Sequence, residues 1–317
     1  MIAWDALDPD RPVLVLGSAA ADTIAYPQTP VEEGAASPAH MRTASGGVAR
    51  NIAETLARLE QPVSFISAVG RDATGDRLLA ELEALGVDVS GVIRTEHAPT
   101  GRYVAVLRET GGLHFGLYDM RASETITPAH LRSHAHLFAQ ASVLVMDANL
   151  PKATLRTAFA LARQAGIPVA ADPTSPLLAP RLQRYLPRLA LITPNHHEAA
   201  ALLGRPLEPR PFEEVLRAAR QLVALGVGMA VITLAEFGLC YATAETSGHL
   251  SALRTEIIDP TGAGDALTAV LVYALLHGFP VDDAIRLGIS AASLALNAPG
   301  NVPADLSLER LYDQLVV

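Results

Sequence analysis

Short runs of consecutive apolar residues alternate along the chain with longer segments in which apolar residues recur every three to four positions. An uninterrupted apolar run is typical of a strand buried on both faces, and the longer period is that of an amphipathic helix. Six runs predict strands, at residues 13–17, 63–69, 142–147, 169–172, 190–193 and 229–234. Six segments predict helices, at residues 48–59, 75–85, 153–164, 212–225, 265–277 and 281–296.

The alternating order of these elements predicts an α/β fold, with a mainly parallel central sheet flanked by helices on both faces. In such a sheet, ligands bind beyond the carboxyl ends of the strands. No linker, repeat or low-complexity tract interrupts the pattern, so we expect a single domain over residues 1–317.

Two segments depart from this pattern. Residues 23–45 are rich in Pro, Ala and Glu and lack a helical period, and residues 101–118 alternate like an antiparallel hairpin with Thr110, Gly111 and Gly112 as its turn. Extra strands that project from a parallel sheet predict a small β lid, at residues of about 23–45 and 98–120, which would shield a reaction from water. An edge hairpin without a special role is the alternative.

Composition and charge narrow the function. Lysine occurs once, at Lys152 after a proline, so the chain has neither the Gly-Lys-Ser/Thr of a P-loop nor the strand lysine of a protein kinase. Any phosphate must therefore be bound by backbone amides, a metal or arginine. The formal net charge of -9 has the wrong sign for a protein that binds polymeric nucleic acid.

The sequence predicts no membrane segment. Its longest apolar stretch, residues 266–276, is shorter than the roughly 20 residues that cross a bilayer. The first ten residues carry three aspartates and no basic residue, unlike a secretory or transit segment, and the single cysteine cannot form a disulfide within the chain. We therefore expect a cytoplasmic protein.

The most specific motif is the run Asp-Pro-Thr-Gly-Ala-Gly-Asp from Asp259 to Asp265, which leads into an apolar helix. Its small residues Gly262, Ala263 and Gly264 allow free amide N–H groups at the helix start to point at one spot, which predicts an anion hole for phosphate. Near a helix N-terminus Asp265 should stay ionised and accept a proton from an attacking hydroxyl. The alternative is an ordinary aspartate cap. A dinucleotide fingerprint is excluded because its third glycine is missing.

A second glycine-rich turn precedes another predicted helix. Gly46 and Gly47 would let the backbone approach a ligand closely, and Asn51, one turn into the helix, can donate to and accept from hydroxyls. This chemistry suits a sugar. A tight turn followed by a surface asparagine explains the same residues.

A third motif, Asn195-His196-His197-Glu198, follows a predicted strand. Asn195 and Glu198 share a helix face at positions i and i+3, where an amide and a carboxylate would hold a hydrated Mg²⁺ ion against phosphates. A capping box is the competing interpretation, and it does not exclude the first.

In this order and at these distances, the three motifs resemble those of the ribokinase-like, PfkB-type carbohydrate and nucleoside kinases. The resemblance spans residues 17–303. It implies a ribokinase-like fold, ATP and Mg²⁺ as cofactors, and transfer of the ATP γ-phosphoryl group to a hydroxyl of a small sugar or nucleoside. It leaves open whether K⁺ is needed and whether a homodimer forms through the lid.

The resemblance also implies a role for each matching position. Asp265 is implied as general base, with Gly262, Ala263 and Gly264 as its anion hole. The acceptor would be bound by Asp22, Gly46, Gly47 and Asn51. The nucleotide would be bordered by Asn195, Thr233, Gly238 and Asn297, with Glu198 holding Mg²⁺ through water. A monovalent cation, K⁺, would be held by the loop around Asp259, Thr261 and Gly300.

Within this family, residues 46–54 look most like the pseudouridine kinases, which implies the pseudouridine 5'-hydroxyl as acceptor and Arg50 and Asn149 as nucleoside contacts. Tyr103, Phe115 and Tyr118 alternate suitably for stacking on a base, although packing on an edge strand explains them too. Another acceptor stays open, such as ribose, a ketohexose derivative, adenosine or another nucleoside. A non-catalytic sugar or nucleoside sensor is the alternative from a different class.

Three positions depart from the family pattern. Glu60 stands where the first signature helix usually ends in glycine, and a retained left-handed conformation there would cost roughly 1 kcal/mol. Ala235 replaces a usual glycine beside ATP, and Val270 replaces a usual glycine or alanine in the catalytic helix. The last two bear on nucleotide packing rather than on phosphoryl chemistry.

Overall fold

The computed structural model describes residues 4–108, 112–259 and 261–316. Its strands are β1 (Val13–Leu16), β2 (Ala20–Pro27), β3 (Ala39–Gly46), β4 (Val63–Ile66), β5 (Ala68–Gly70), β6 (Ile93–Thr95), β7 (Gly101–Leu107), β8 (Leu113–Asp119), β9 (Val143–Asp147), β10 (Val169–Asp172), β11 (Leu191–Ile192), β12 (Met229–Thr233), β13 (Leu239–Ala242) and β14 (Ser247–Leu250).

The α-helices are α1 (Val48–Arg58), α2 (Ala73–Ala84), α3 (Pro128–Ser133), α4 (Ala135–Gln140), α5 (Lys152–Ala165), α6 (His196–Leu203), α7 (Phe212–Ala224), α8 (Ala263–Leu276), α9 (Val281–Leu296) and α10 (Leu308–Val316). Short 3₁₀ helices cover Trp4–Ala6, Arg121–Thr125, Ala179–Arg188 and Ala235–Phe237. All six predicted helices are present, with boundaries that differ from the prediction by at most two residues.

The central sheet has the strand order β14-β13-β12-β11-β10-β9-β1-β4. Its pairs from β12 to β4 are parallel, and β13 and β14 add an antiparallel edge. Successive residues of β1 point to opposite faces, so Val13 and Val15 join one buried apolar cluster and Leu14 and Leu16 join another. Helices α1, α2, α8 and α9 cover the first face, and α4, α5, α6 and α7 cover the second. The predicted two-sided α/β fold is confirmed.

A separate small sheet has the order β3-β2-β7-β8. The predicted hairpin is its β7-β8 pair, whose strands are antiparallel; of its predicted turn, Thr110 and Gly111 lie outside the described residues. The pattern placed residues 23–45 in the β lid but did not locate the other two strands, β2 and β3, because neither alternates regularly between apolar and polar residues.

The apolar run at residues 63–69 forms two strands rather than the single one predicted. The β4 strand belongs to the central sheet, whereas β5 pairs with β6. Between them, the Ser67 hydroxyl donates to the Gly17 carbonyl at 2.6 Å, where the chain leaves the sheet. Burial does not distinguish the two strands, because both are buried, and only Ser67 marks the break in the sequence.

Two of the three departures from the family pattern keep a backbone conformation that favours glycine. Glu60 has a φ of 62° and Ala235 a φ of 52°. A side chain in this left-handed region costs roughly 1 to 2 kcal/mol, so Glu60 and Ala235 each lower the stability of the protein relative to glycine. The third, Val270, is completely buried in the core face of α8.

No helix in the described ranges combines the length and the apolar character that crossing a membrane requires.

Candidate active site

Five buried carboxyl groups converge at the carboxyl edge of the central sheet. They come from separate parts of the fold: Asp147 ends β9, Asp172 ends β10, Asp22 lies on β2, Glu198 lies in the first turn of α6 and Asp265 in the first turn of α8. Burial disfavours the ionised form and raises the pKa of each group, and the charges of neighbouring carboxylates add to this at Asp22, Asp172 and Asp265. This edge is where an open α/β sheet binds its ligands.

Asp265 lies at the centre of this group. Asn51 donates its side-chain amide to Asp265 Oδ2 at 2.7 Å. Burial, with smaller contributions from the charges of Asp22, Asp147 and Glu198, raises the pKa of Asp265 to about 8 despite that hydrogen bond. The expectation that the helix N-terminus keeps Asp265 ionised is therefore wrong for the ligand-free protein, because desolvation outweighs the helix dipole.

The helix start beside Asp265 is open. Gly262 is the N-cap residue, with a φ of 80° and no side-chain cap, so Asp265 is the third helical residue and not the ordinary cap. Within the described ranges, the amide N–H groups of Ala263, Gly264 and Asp265 have no acceptor. A methyl group built on Gly264 would meet no atom within 4 Å. The turn therefore combines amides without an acceptor with open space beside Gly264, as an anion hole requires.

At the other glycine-rich helix start, that of α1, side chains of the protein itself occupy the space and the free amides. A Cβ on Gly46 would collide with the Asp22 carboxylate, and Gly47 has a φ of 94°. The Ala49 amide donates to Asp147 Oδ2 at 3.3 Å. Asn51 is buried and bonded to Asp265, so the interpretation as a surface asparagine is wrong.

Asp22 is held by a residue that the sequence did not single out. Asn301 donates its side-chain amide to Asp22 Oδ2 at 2.6 Å and to the Ser45 carbonyl at 3.1 Å. Burial raises the pKa of Asp22 to about 7; the Asn301 bond lowers the pKa, and the charge of Asp259 raises it. Asn301 thus connects the small sheet to the segment after α9.

The α6 start is closed by a capping box. Asn195 Oδ1 accepts from the Glu198 amide at 2.9 Å, and Glu198 Oε2 accepts from the Asn195 amide at 2.8 Å. The capping interpretation is confirmed. Burial raises the pKa of Glu198 to about 7 against these bonds. Each side chain still has a second polar atom with which to bind a ligand.

The residues predicted to border the nucleotide are only partly brought together. Thr233, at the end of β12, forms a bridge with Asn195 and donates its amide to the Pro194 carbonyl at 2.9 Å. Gly238 has a φ of 90° and packs so closely that a Cβ would be 2.6 Å from the Ala252 nitrogen. Asn297 is exposed and donates to the Glu256 carbonyl at 3.2 Å.

The two predicted nucleoside contacts are engaged within the protein. Arg50 is buried and pairs with Glu54 and with Glu81, the latter at 2.9 Å, so its guanidinium balances two carboxylates of the helices. The Asn149 side-chain amide donates to Ser18 Oγ at 3.2 Å.

The predicted cation loop contains an arginine that the sequence did not place there. Asp259 is fully buried and accepts from Arg42 of β3 and from Thr261. Gly300, with a φ of 125°, has no atom within 4 Å of a built Cβ. The loop expected to bind K⁺ therefore already has a guanidinium on its Asp259 carboxylate.

Two further acidic residues lie at the site, Asp147 and Asp172, each at the end of a predicted strand but without a predicted role. Asp147 accepts from Ser18 N at 2.7 Å and from Ser18 Oγ at 2.6 Å, and Asp172 accepts from the Thr174 amide at 2.7 Å. Both end an apolar strand, and a lone carboxylate at that position was the signal that could have identified them. No such signal marks Asn301 or Arg42.

Comparison with known proteins agrees with this geometry. Residues 10–305 match the pfkB family carbohydrate kinase domain. The chain is 31% identical over 297 residues to the pseudouridine kinase of Escherichia coli, covering 93% of this chain and 94% of that kinase. It is 28% identical over 280 residues to the ribokinase of Schizosaccharomyces pombe, covering 86% and 87%.

A solved structure shows the same fold. The Arabidopsis thaliana ribokinase complexed with ribose and ATP superposes with a TM-score of 0.82 at 24% identity, covering 97% of this chain and 99% of that one. The chain therefore belongs to the pfkB family of carbohydrate kinases and is an ATP-dependent phosphotransferase that acts on a sugar or a nucleoside.

Proposed function

We propose that this kinase phosphorylates the 5'-hydroxyl of pseudouridine, with Asp265 as general base. A buried carboxyl group and unoccupied amides lie together at one helix start: Asp265 accepts from Asn51, and the amides of Ala263 and Gly264 have no acceptor among the described residues. A hydroxyl that loses its proton there lies next to the site that would receive a phosphoryl group.

The reaction follows from this arrangement. The acceptor oxygen forms a bond to the γ-phosphorus, the bond from that phosphorus to the bridging oxygen of ADP breaks, and the hydroxyl proton goes to the Asp265 carboxylate. The amides of Ala263, Gly264 and Asp265 bind the charge on the transferred group. Asn51 keeps the carboxylate oriented. Orientation of this kind supplies on the order of 7 to 11 kcal/mol.

The residues of α6 fit a hydrated Mg²⁺ ion. No group of three His, Cys, Asp or Glu residues in the described part of the chain forms a protein-only metal cage. Mg²⁺ usually keeps several waters and binds through one or two carboxylates together with substrate phosphates, which matches Glu198 beside Asn195. When bound, the ion would neutralise phosphate charge and favour the ionised form of the carboxyl groups nearby.

The small sheet supports a nucleoside acceptor. Asp22 of β2 is the register partner of Tyr103 on β7, which in turn faces Tyr118 on β8. Residues opposite each other point to the same face, so both tyrosines share a face with the carboxylate proposed to bind the sugar hydroxyls. Phe115 is paired with Val106 and points to the other face, so it does not join the predicted stacking group.

A panel of acceptors tests the proposal. ADP release with ATP and Mg²⁺ is measured over pseudouridine, uridine, adenosine, ribose and fructose phosphates. We expect the highest kcat/KM for pseudouridine, and a loss of roughly tenfold in Tyr103→Ala that spares any ribose phosphorylation. Preference for ribose or adenosine would reject the acceptor while keeping the kinase, and binding without turnover of any acceptor would favour a sensor.

We also propose that the small sheet is a lid and joins two copies of the chain. The face opposite Asp22 carries exposed apolar side chains, with Met41 72% exposed and Leu117 63% exposed. A contiguous apolar face of this kind is typical of an interface. Sedimentation analysis should show a dimer that Leu117→Asp dissociates. Leu177→Asp, at an equally exposed leucine outside the sheet, should leave the dimer intact.

A further inference from the structure

A buried ion pair joins the small sheet to the loop before the anion hole. Arg42 on β3 donates to Asp259 Oδ2. The Asp259 side chain has no exposed surface, and 29% of the Arg42 side chain is exposed. The other oxygen, Asp259 Oδ1, accepts from Thr261 N at 2.9 Å and Thr261 Oγ1 at 2.5 Å. Both carboxylate oxygens are thus occupied by groups of this chain.

These contacts do not fit a monovalent metal ion. A carboxylate without exposed surface needs a counter-charge, and the guanidinium of Arg42 supplies one that is always present. A K⁺ ion would have to displace Arg42 from Asp259 Oδ2 or lie beside a like charge. The site implied by the family resemblance at Asp259, Thr261 and Gly300 is therefore already neutralised.

We propose that Arg42 is a built-in cation that replaces a monovalent metal ion at Asp259 and fixes the anion-hole turn without K⁺. Arg42 is a positioning residue: it acts through Asp259, which holds Thr261, the residue before the N-cap Gly262. Its effect on turnover rests on the proposed role of the α8 start. Its effect on stability does not.

The surrounding contacts support this role. Tyr26 of β2 donates its hydroxyl to the Ile258 carbonyl at 3.0 Å, a second tie from the small sheet to the same loop. From the other side, the amides of Ile258 and Asp259 donate to the Leu296 carbonyl at the end of α9, at 2.8 and 3.1 Å. The loop is therefore held on two sides, and Arg42 supplies the positive charge that balances Asp259.

Loss of Arg42 would leave two carboxyl groups facing each other. The charge of Asp259 already raises the pKa of Asp22 on the neighbouring strand β2. Asp259 accepts from the Arg42 guanidinium through its terminal nitrogen, whereas Arg42 Nε is buried and has no acceptor among the described residues. Without Arg42, the buried Asp259 carboxylate would lack its counter-charge, and a cation could supply it.

The test compares K⁺ with choline at equal ionic strength. The melting temperature of the ligand-free protein is measured for the wild type, Arg42→Ala, Arg42→Lys and the control Arg217→Ala, which removes an exposed arginine paired with Glu214. We expect K⁺ to leave the wild type, Arg42→Lys and Arg217→Ala unchanged and to raise the melting temperature of Arg42→Ala. Turnover of Arg42→Ala in choline should fall by roughly tenfold or more and recover in K⁺.

Two outcomes would overturn the proposal. One is a wild-type protein whose melting temperature and rate rise in K⁺ as they do in Arg42→Ala; the other is an Arg42→Ala variant that is indifferent to K⁺ in both measurements. The wild-type comparison and Arg42→Lys decide the question if Arg42→Ala does not fold. Because the melting temperature needs no acceptor, failure of the pseudouridine proposal leaves this test intact.

Discussion

The starts of α1 and α8 look alike in sequence but differ in what occupies them. Each follows a glycine with positive φ, Gly47 at 94° and Gly262 at 80°, and neither has a side-chain cap. At α1, however, the second and third amides are taken by Asp147 and by the Ser18 carbonyl. At α8, the corresponding amides have no acceptor among the residues that the structure describes.

The difference teaches that a glycine-rich helix start becomes a ligand site only where the rest of the fold leaves its amides free. The α6 start is a third case, in which a capping box uses the amide of Glu198 and still leaves part of that carboxylate for a ligand. Free amides, occupied amides and capped amides therefore predict three different responses to mutation.

The largest effect is expected at α8. Asp265→Asn keeps the size of the side chain and removes the base, so kcat should fall at least ~100-fold while acceptor affinity is largely retained. Steady-state kinetics and acceptor binding check this. The same change at an exposed first-turn residue of α2, Asp76→Asn, should leave kcat unchanged. An unimpaired rate in Asp265→Asn would reject the role.

A pair of glycine substitutions tests the comparison directly. Gly264→Ala meets no atom in the protein, so it should keep or raise stability, by about 0.5 to 1 kcal/mol, while its methyl group enters the phosphoryl site and lowers kcat/KM by roughly tenfold to a hundredfold.

Gly47→Ala should instead lower the stability of the protein. Its φ of 94° and a Cβ 2.8 Å from Ala19 Cα predict a loss of about 1 to 3 kcal/mol in the free energy of unfolding. Urea unfolding and initial rates of both variants are the measurements. Equal stability losses in the two variants would show that the helix starts do not differ as described.

A smaller effect is expected at the capped start. Glu198→Gln keeps an oxygen that can accept from the Asn195 amide, so the cap should survive, but the loss of charge should raise the Mg²⁺ concentration for half-maximal activity by roughly tenfold. Glu214→Gln, in the exposed first turn of α7, is the matched control. A variant that instead weakened nucleoside affinity at unchanged Mg²⁺ dependence would contradict this assignment.

The smallest effect is on the pH dependence of stability. The folded protein raises the pKa of Asp265 from 3.8 to about 8, so folding favours the protonated group. The resulting contribution to the free energy of unfolding is complete below pH 3.8 and is lost as the pH rises through about 8. Asparagine does not ionise, so the Asp265→Asn variant does not lose this stability as the pH rises. Its melting temperature should exceed that of the wild type by on the order of a few degrees above pH 8 and converge with it in acid. A difference that is constant across pH would contradict the burial argument.

The sequence by itself determined the order of the elements, the two-sided sheet and the three motifs, because burial between helices forces uninterrupted apolar strands and because glycines and caps mark helix starts locally. It did not reveal β2 and β3, whose polar pattern has no clear period.

Only the tertiary structure decided which groups meet. Asn301 reaches Asp22 across 279 residues, and Arg42 reaches Asp259 across 217. It also decided the direction in which the pKa of Asp265 shifts, since the sequence shows a carboxylate near a helix dipole, whereas the fold removes water from it and brings other acidic groups close. Desolvation is a property of packing from distant segments, and no local pattern encodes it.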